Sequence, residues 1–280
     1  MSTFVVFTYQ FSPIIDDTPS LFEDEVDPFQ SMNQKNELFE EAVTDDNLLI
    51  SYRNSQFKRR IVLNQAHICL FRLANHKYIR VEEDFQSNKI DNHPSILVIV
   101  DNRNDKQRIL IEERTGAFYD EEYVARILQN SFRSVLRKNK LNISIKKEYQ
   151  SVEFWDLVSR YDKGIEKIRF AFPYPNLSRI KDSLKNLISD INLTTNSKDT
   201  KVELNAAPGE SLQLDHNNEN LTGLVEASAG SGQGIIIKAK GVRHQHVIGN
   251  SRKIVSIDEI EGQFPEMAIA KVIEELNKIN

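Results

Sequence analysis

The segment Ser95-Ile96-Leu97-Val98-Ile99-Val100 constrains the fold of this chain more than any other. Five consecutive aliphatic residues make a strand that is apolar on both faces. Such a strand belongs inside a sheet that is covered on both sides. Asn102-Arg103-Asn104-Asp105 is turn chemistry, and Arg108-Ile109-Leu110-Ile111-Glu112 returns, so the segment opens a β-hairpin. The next strong pattern is helical and covers residues 121–139. Val124, Ile127, Leu128, Phe132, Val135 and Leu136 follow helical spacing and should face the core. Asp120 is placed to cap the helix, and Glu121 and Glu122 favour its first turn.

The rest of the chain is arranged around these elements. Phe4 to Phe11 is a dense apolar start that reads as a strand ending at Pro13. A helix is expected over 32–43 and strands over 48–53 and 57–63. A hairpin is expected from 66–73 and 77–82 around Asn75-His76. Downstream, the pattern predicts a strand at 141–147, a helix at 151–161, a strand at 165–172 and a helix at 177–191. Residues 194–201 are polar and lack periodicity, so they read as a linker. Short strands are then expected at 201–206, 211–215, 221–228, 234–240 and 253–257. An amphipathic helix at 265–279 presents Met267, Ala270, Val272, Ile273 and Leu276. The fold class is α+β: a mixed, mostly antiparallel sheet with packed helices, plus a smaller β-rich C-terminal domain ending in a helix. The expected domains are 1–193 and 201–280.

Charge is segregated along the chain. Residues 1–50 hold eleven acidic side chains against one lysine, a net of −10. Residues 51–185 hold 26 lysines and arginines against 17 acidic residues, a net of +9, and residues 186–280 return to −4. A basic middle between acidic ends suits a polyanion, or a protein partner of complementary charge. Residues 4–7 are far short of the roughly 20 needed to span a bilayer. No basic segment precedes them and no small-residue cleavage site follows, so neither a signal peptide nor a membrane partner is expected. One cysteine, Cys69, leaves no internal disulfide and fits a cytoplasmic location. It lies in an apolar strand pattern and reads as a buried small hydrophobe.

The candidate binding residues are basic. Arg126, Asn130, Arg133, Arg137 and Lys140 recur every three or four residues and stack on one face of the 121–139 helix, opposite its apolar stripe. Lys146 and Lys147 follow. Such a stripe can track a phosphate backbone. A second cluster groups Arg53 with Lys58, Arg59 and Arg60 at a strand–turn junction. The alternative for all of them is a solvated face paired with the protein's own carboxylates.

Three further patterns bear on catalysis or ligand binding. Asp101, Glu112 and Arg114 approach the strand carboxylates and basic residue of metal-dependent nucleases, but arginine replaces the lysine and cannot readily act as a base. Gly230-Ser231-Gly232-Gln233-Gly234 resembles a phosphate loop in composition, yet a strand pattern follows it where a helix is needed, so a hairpin tip is expected. His244 and His246 could share a strand face, with only a distant third candidate in His216. No catalytic residue, metal or cofactor is assigned.

The order of parts over residues 95–190 is that of a buried hairpin, an amphipathic helix, a strand, and Gly164-Ile165-Glu166-Lys167-Ile168-Arg169-Phe170-Ala171-Phe172. It resembles bacterial proteins carried on mobile elements, phage-exclusion proteins of the RexA type and the DNA-binding component of Kiwa-type defence. The resemblance is one of layout, and no motif matches position by position. It implies a two-domain, DNA-contacting, dimer-forming defence protein, and no site residue carries over.

The expected function is therefore a non-enzymatic nucleic-acid-binding or sensing protein, with DNA favoured over RNA and a role in bacterial phage defence. A protein partner encoded nearby and a homodimer are compatible with it. The alternatives are a protein-interaction subunit (antitoxin, adaptor or inhibitor) and a metal-dependent nuclease.

Overall fold

The computed structural model describes residues 2–15, 26–104, 106–114, 116–161, 164–173, 197, 199–249, 251–258 and 265–279. The expected helix at 177–191 and most of the expected linker at 194–201 lie outside them. The protein is α+β and its sheets are mostly antiparallel. The chain divides into two compact units. The first comprises Met1–Val6, Pro13–Ile145 and Ile254–Asn280, the second Phe7–Ser12 and Lys146–Lys253.

The main sheet has the strands β1 (Ser2–Pro13), β2 (Ile50–Tyr52), β3 (Ser55–Gln65), β4 (Ile68–Ala74), β7 (Ser95–Asp101), β8 (Arg108–Glu112) and β14 (Ile254–Ile257). Their order is β14-β1-β8-β7-β4-β3-β2, and β9 (Leu141–Lys147) pairs with β1 off this path. The doubly apolar strand β7 thus stands at the middle of that order, as its pattern requires. Its hairpin with β8 is in register from Val98 opposite Ile111 to Asp101 opposite Arg108.

Alternation divides the side chains between the two faces. Phe4, Val6, Ile68, Leu70, Leu97, Ile99 and Leu110 pack under the C-terminal helix α6 (Pro265–Lys278), through Ala268, Ile269, Val272 and Leu276. Helix α2 (Lys35–Thr44), preceded by α1 (Pro28–Asn33), packs with α3 (Glu121–Leu136) on the opposite face, where Phe39 meets the ring of Phe132 edge-on at 5.1 Å.

Helix α3 follows from its sequence. The Asp120 carboxylate accepts a hydrogen bond from the Tyr123 amide at 2.6 Å. Ile127, Leu128, Phe132 and Leu136 are fully buried. Burying each stabilises the fold by roughly 1.5–3 kcal/mol. A 3-10 turn at Arg137–Asn139 follows, and Lys140, left-handed at φ 51°, turns the chain into β9.

Two sequence expectations differ from the structure here. Strand β4 does not form a hairpin with the strand after Asn75-His76. It pairs with β3 and β7, whereas β5 (Lys77–Glu83) pairs with β6 (Gln86–Asn92) as a separate two-stranded ribbon. Asn75-His76 is a crossing between sheets, not a hairpin turn. Strand β6 carries a single aliphatic residue, Ile90, and so has no strand signal.

The second unit holds an antiparallel sheet of order β11-β10-β12-β13, from β10 (Ile165–Pro173), β11 (Asp199–Asn205), β12 (Ile235–Ala239) and β13 (His246–Ile248). Phe154 of α4 (Val152–Tyr161) and Leu221 and Val225 of α5 (Glu219–Gly230) share a core with Ile168, Phe170, Phe172 and Ile237. Residues 221–228 are thus helical and not a strand, and 211–215 form no strand. Asn218 caps α5 by accepting from the amides of Asn220 and Leu221. Leu221, Leu224, Val225 and Ser228 recur at helical spacing and are buried.

The glycine segment at 230–234 therefore joins the end of a helix to a strand and is not a hairpin tip. Gly232 has φ +66°, and a Cβ there would stand 2.7 Å from both the Lys146 Cβ and the Lys147 carbonyl oxygen. Close backbone approach accounts for this glycine. Among the described residues no helix is long and apolar enough to cross a membrane.

Candidate nucleic-acid interface

Arg126, Asn130, Arg133 and Arg137 all lie on the exposed side of α3 and its 3-10 extension. At 3.6 residues per turn they fall within about 60° of one another and extend over about 16 Å. Among the described residues neither Arg126 nor Arg137 has a carboxylate partner. Arg133 is different: its guanidinium Nη2 donates to the Ile143 carbonyl of β9 at 3.1 Å. Beside it, the Gln129 side-chain carbonyl accepts from the Ile145 amide at 2.7 Å. Glu121 and Glu122 bound the stripe at the N-terminal end of the helix.

The second basic cluster does not stay together. Arg53 stands in the turn between β2 and β3, left-handed at φ 53°. The preceding Ser51 accepts from the Asn130 amide group at 3.3 Å and bonds Ser131 through its backbone. The Tyr52 ring meets Tyr123 of α3 edge-on at 5.7 Å, and the Arg53 guanidinium lies over the Tyr52 ring at 5.4 Å. Arg53 is thus linked to α3 through Tyr52, whose ring packs on Tyr123. Tyr52 and Tyr123 set aromatic faces among the arginines.

Lys58, Arg59 and Arg60 separate by strand alternation. Arg59 turns towards α2. It donates to the carbonyls of Val43 and Asp45 at the end of that helix, and lies over the Phe71 ring at 5.7 Å. Burial lowers the pKa of its guanidinium, partly offset by the nearby carboxylates Asp45 and Asp46. Lys58 and Arg60 are exposed and point to the opposite side of the sheet from α3, where Arg60 stands across from Arg72. Lys58 Nζ lies 3.4 Å from His93 Nε2. Lys140 is half-buried, and its carbonyl accepts from the Ile14 amide at 2.7 Å. Lys146 and Lys147 belong to the second unit, half-buried beside Gly232. Of the ten basic positions singled out in the sequence, Arg126, Arg133 and Arg137 share one described surface, and Arg53 meets α3 through the Tyr52 ring.

The residues of the nuclease pattern are engaged structurally. Asp101 is fully buried and binds Arg103 through both carboxylate oxygens at 2.8 Å. Glu112 accepts from the Ser2 hydroxyl at 2.9 Å and the Leu97 amide at 2.8 Å. The Arg114 guanidinium donates to the Ser95 carbonyl at 3.1 Å. His246 is half-buried in β13 with its Nε2 2.5 Å from the Tyr161 hydroxyl, while His216 packs on Trp155 at 4.5 Å. Among the described residues no three such side chains converge as a metal site. Cys69 is buried, and desolvation pushes its thiol up to about 11, so it remains a protonated hydrophobe.

No protein-family model, curated protein or solved structure matches this chain.

Proposed function

We propose that this is a nucleic-acid-binding protein that holds the phosphate backbone of DNA against the outward face of α3. One observation carries the reading. Arg126, Arg133 and Arg137 stand on a single exposed helix face, and the β2–β3 turn adds Arg53 beside it. Phosphate contacts of this kind position a protein on nucleic acid with little base readout. The rings of Tyr52 and Tyr123 give the same face a surface for sugars or unstacked bases. The engagement of Asp101 and Glu112 within the fold favours binding without cleavage. Placement in phage defence rests on the resemblance in layout alone.

The test is fluorescence anisotropy with labelled duplex, single-stranded DNA and RNA at two salt concentrations. Binding that weakens steeply with salt, and weakens further with Arg126→Glu and Arg137→Glu together, supports the reading. Absence of binding at low salt, or binding indifferent to that double reversal, moves the function to protein interaction.

A further inference from the structure

The ribbon of β5 and β6 leaves the main sheet after β4 and rejoins it at β7, strands that pair with each other from Ile68 opposite Asp101 to Ala74 opposite Ser95. Among the described residues β5 and β6 pair only with one another. The ribbon is thus an arm. Ile79, Val81 and Ile90 share one of its faces, since Ile79 stands opposite Ile90 and Val81 lies two residues on. All three are exposed, and Phe85 at the tip is 99% exposed. Asp84 and Phe85 both take left-handed backbone, φ 50° and 62°, which closes a two-residue turn that fixes the register of the arm. A two-stranded ribbon with an uncovered apolar face is marginal in water. Its open edges carry backbone groups ready to pair with another strand.

We propose that β5 pairs antiparallel with β5 of a second copy of this chain, about a two-fold axis through Arg80, to make a four-stranded ribbon of order β6-β5-β5-β6. In this register Ile79 stands opposite Val81 of the second copy, twice, and Ile90 of each chain flanks the pairs. Aliphatic cross-strand pairs are the stabilising unit of such a sheet. On the other face Tyr78 stands opposite Glu82. Arg80 meets its own symmetry mate, with a Glu82 from each chain on the diagonal.

Antiparallel pairing also brings the tip of one arm to the base of the other. Glu82 and Asp84 stand exposed at the tip. The base holds Lys58 beside His93, while His76, stacked on His93 at 5.0 Å, is paired with Asp91 of its own chain at 3.1 Å, so Lys58 carries the positive charge offered there. The charges are complementary, and the two-fold axis repeats the contact. Strand β5 suits this role better than β6, which offers Ile90 alone. The acidic tip disfavours nucleic acid as the occupant, because residues 77–92 carry three basic against four acidic side chains.

Sedimentation velocity of the full chain over a range of concentrations tests the proposal. A monomer–dimer equilibrium is expected, with its Kd raised about tenfold or more by Ile79→Lys, since that change removes two apolar cross-strand pairs per dimer. Arg80→Cys places two thiols at antiparallel partner positions, within disulfide reach. It should cross-link on mild oxidation, whereas Lys89→Cys on the outer strand should not. Circular dichroism of the variants should match the parent chain, because the arm lies outside both cores. A chain that stays monomeric at every concentration overturns the proposal and leaves the arm to a different partner. A dimer untouched by Ile79→Lys, or equal cross-linking by the two cysteine variants, overturns it as well.

Discussion

Arg133 donates from its guanidinium to the main-chain carbonyl of Ile143, 3.1 Å away. An arginine that looks like one of three equivalent members of a basic stripe is also a bolt between α3 and β9. Arg133→Ala should therefore cost stability, by about 0.5–1.5 kcal/mol, less than a shielded charged donor would, because the Arg133 side chain is exposed to water. Arg126→Ala and Arg137→Ala should leave the unfolding midpoint in urea within error of the parent. Urea titration of the three variants checks this ordering. Equal stability of all three would mean that the Arg133 hydrogen bond contributes nothing in solution.

The same distinction shapes the binding experiment. Removing one arginine that neutralises a phosphate should lower the slope of log affinity against log salt by about 0.9 on duplex DNA. Arg126→Gln with Arg137→Gln should thus flatten the slope by roughly 2. Adding Arg53→Gln should flatten it further, because Arg53 stands over Tyr52 beside the same helix face. Lys58→Gln with Arg60→Gln should leave the slope unchanged, since those side chains point to the other side of the sheet from α3. A slope that responds to Lys58 and Arg60 and ignores Arg126 and Arg137 would place the interface on the opposite face.

The elements carrying dense periodic signals were legible from residues alone. Strand β7, its hairpin with β8, helix α3 with the Asp120 cap, and the terminal helix all appear close to their expected limits. What escaped was pairing and context. Residues 221–228 are apolar on most sides and suit a buried strand or a buried helix equally; the Asn218 cap was the signal that decides for helix. Strand β6 is polar because both its faces meet water, so no alternation marks it. At the candidate site, helical spacing alone assembled Arg126, Arg133 and Arg137. The departure of Arg59 from its neighbours follows from strand alternation, and 58–60 could have been divided on that ground. That the turn carrying Arg53 meets α3 depends on Ser51 meeting Asn130 and Ser131, 79 and 80 residues away, and no local pattern reports it.

Arg59 should prove structural. Its guanidinium caps the end of α2 through the Val43 and Asp45 carbonyls while lying on Phe71. Hydrogen bonds from a charged donor contribute about 1.5–3 kcal/mol. Arg59→Met keeps much of the apolar stem and loses the cap, so a destabilisation of about 2 kcal/mol is expected, with unchanged affinity for nucleic acid. Urea titration and anisotropy on the same preparation separate the two effects. A folded, stable Arg59→Met chain with impaired binding would return Arg59 to the interface.

Acid should weaken one interaction on the exposed face of the second unit's sheet. Glu203 of β11 accepts from Lys167 Nζ at 2.7 Å and from the Arg169 guanidinium at 2.7–2.8 Å. These two cations, with a smaller contribution from Asn205, lower its pKa from 4.5 to about 2. A carboxylate whose pKa is depressed on folding binds its proton more readily in the unfolded chain. Its stabilising effect is therefore complete above the unfolded value near 4.5 and is lost as pH falls towards 2. Glu203→Gln should accordingly be less stable than the parent at pH 7, and the difference should shrink steadily below pH 4.5. Because the carboxylate is exposed, the gap at pH 7 should also narrow in high salt. Thermal melts of both chains from neutral to acid pH, at low and high salt, check the sign. A difference that grows with acidity would mean that Glu203 is not held ionised by Lys167 and Arg169.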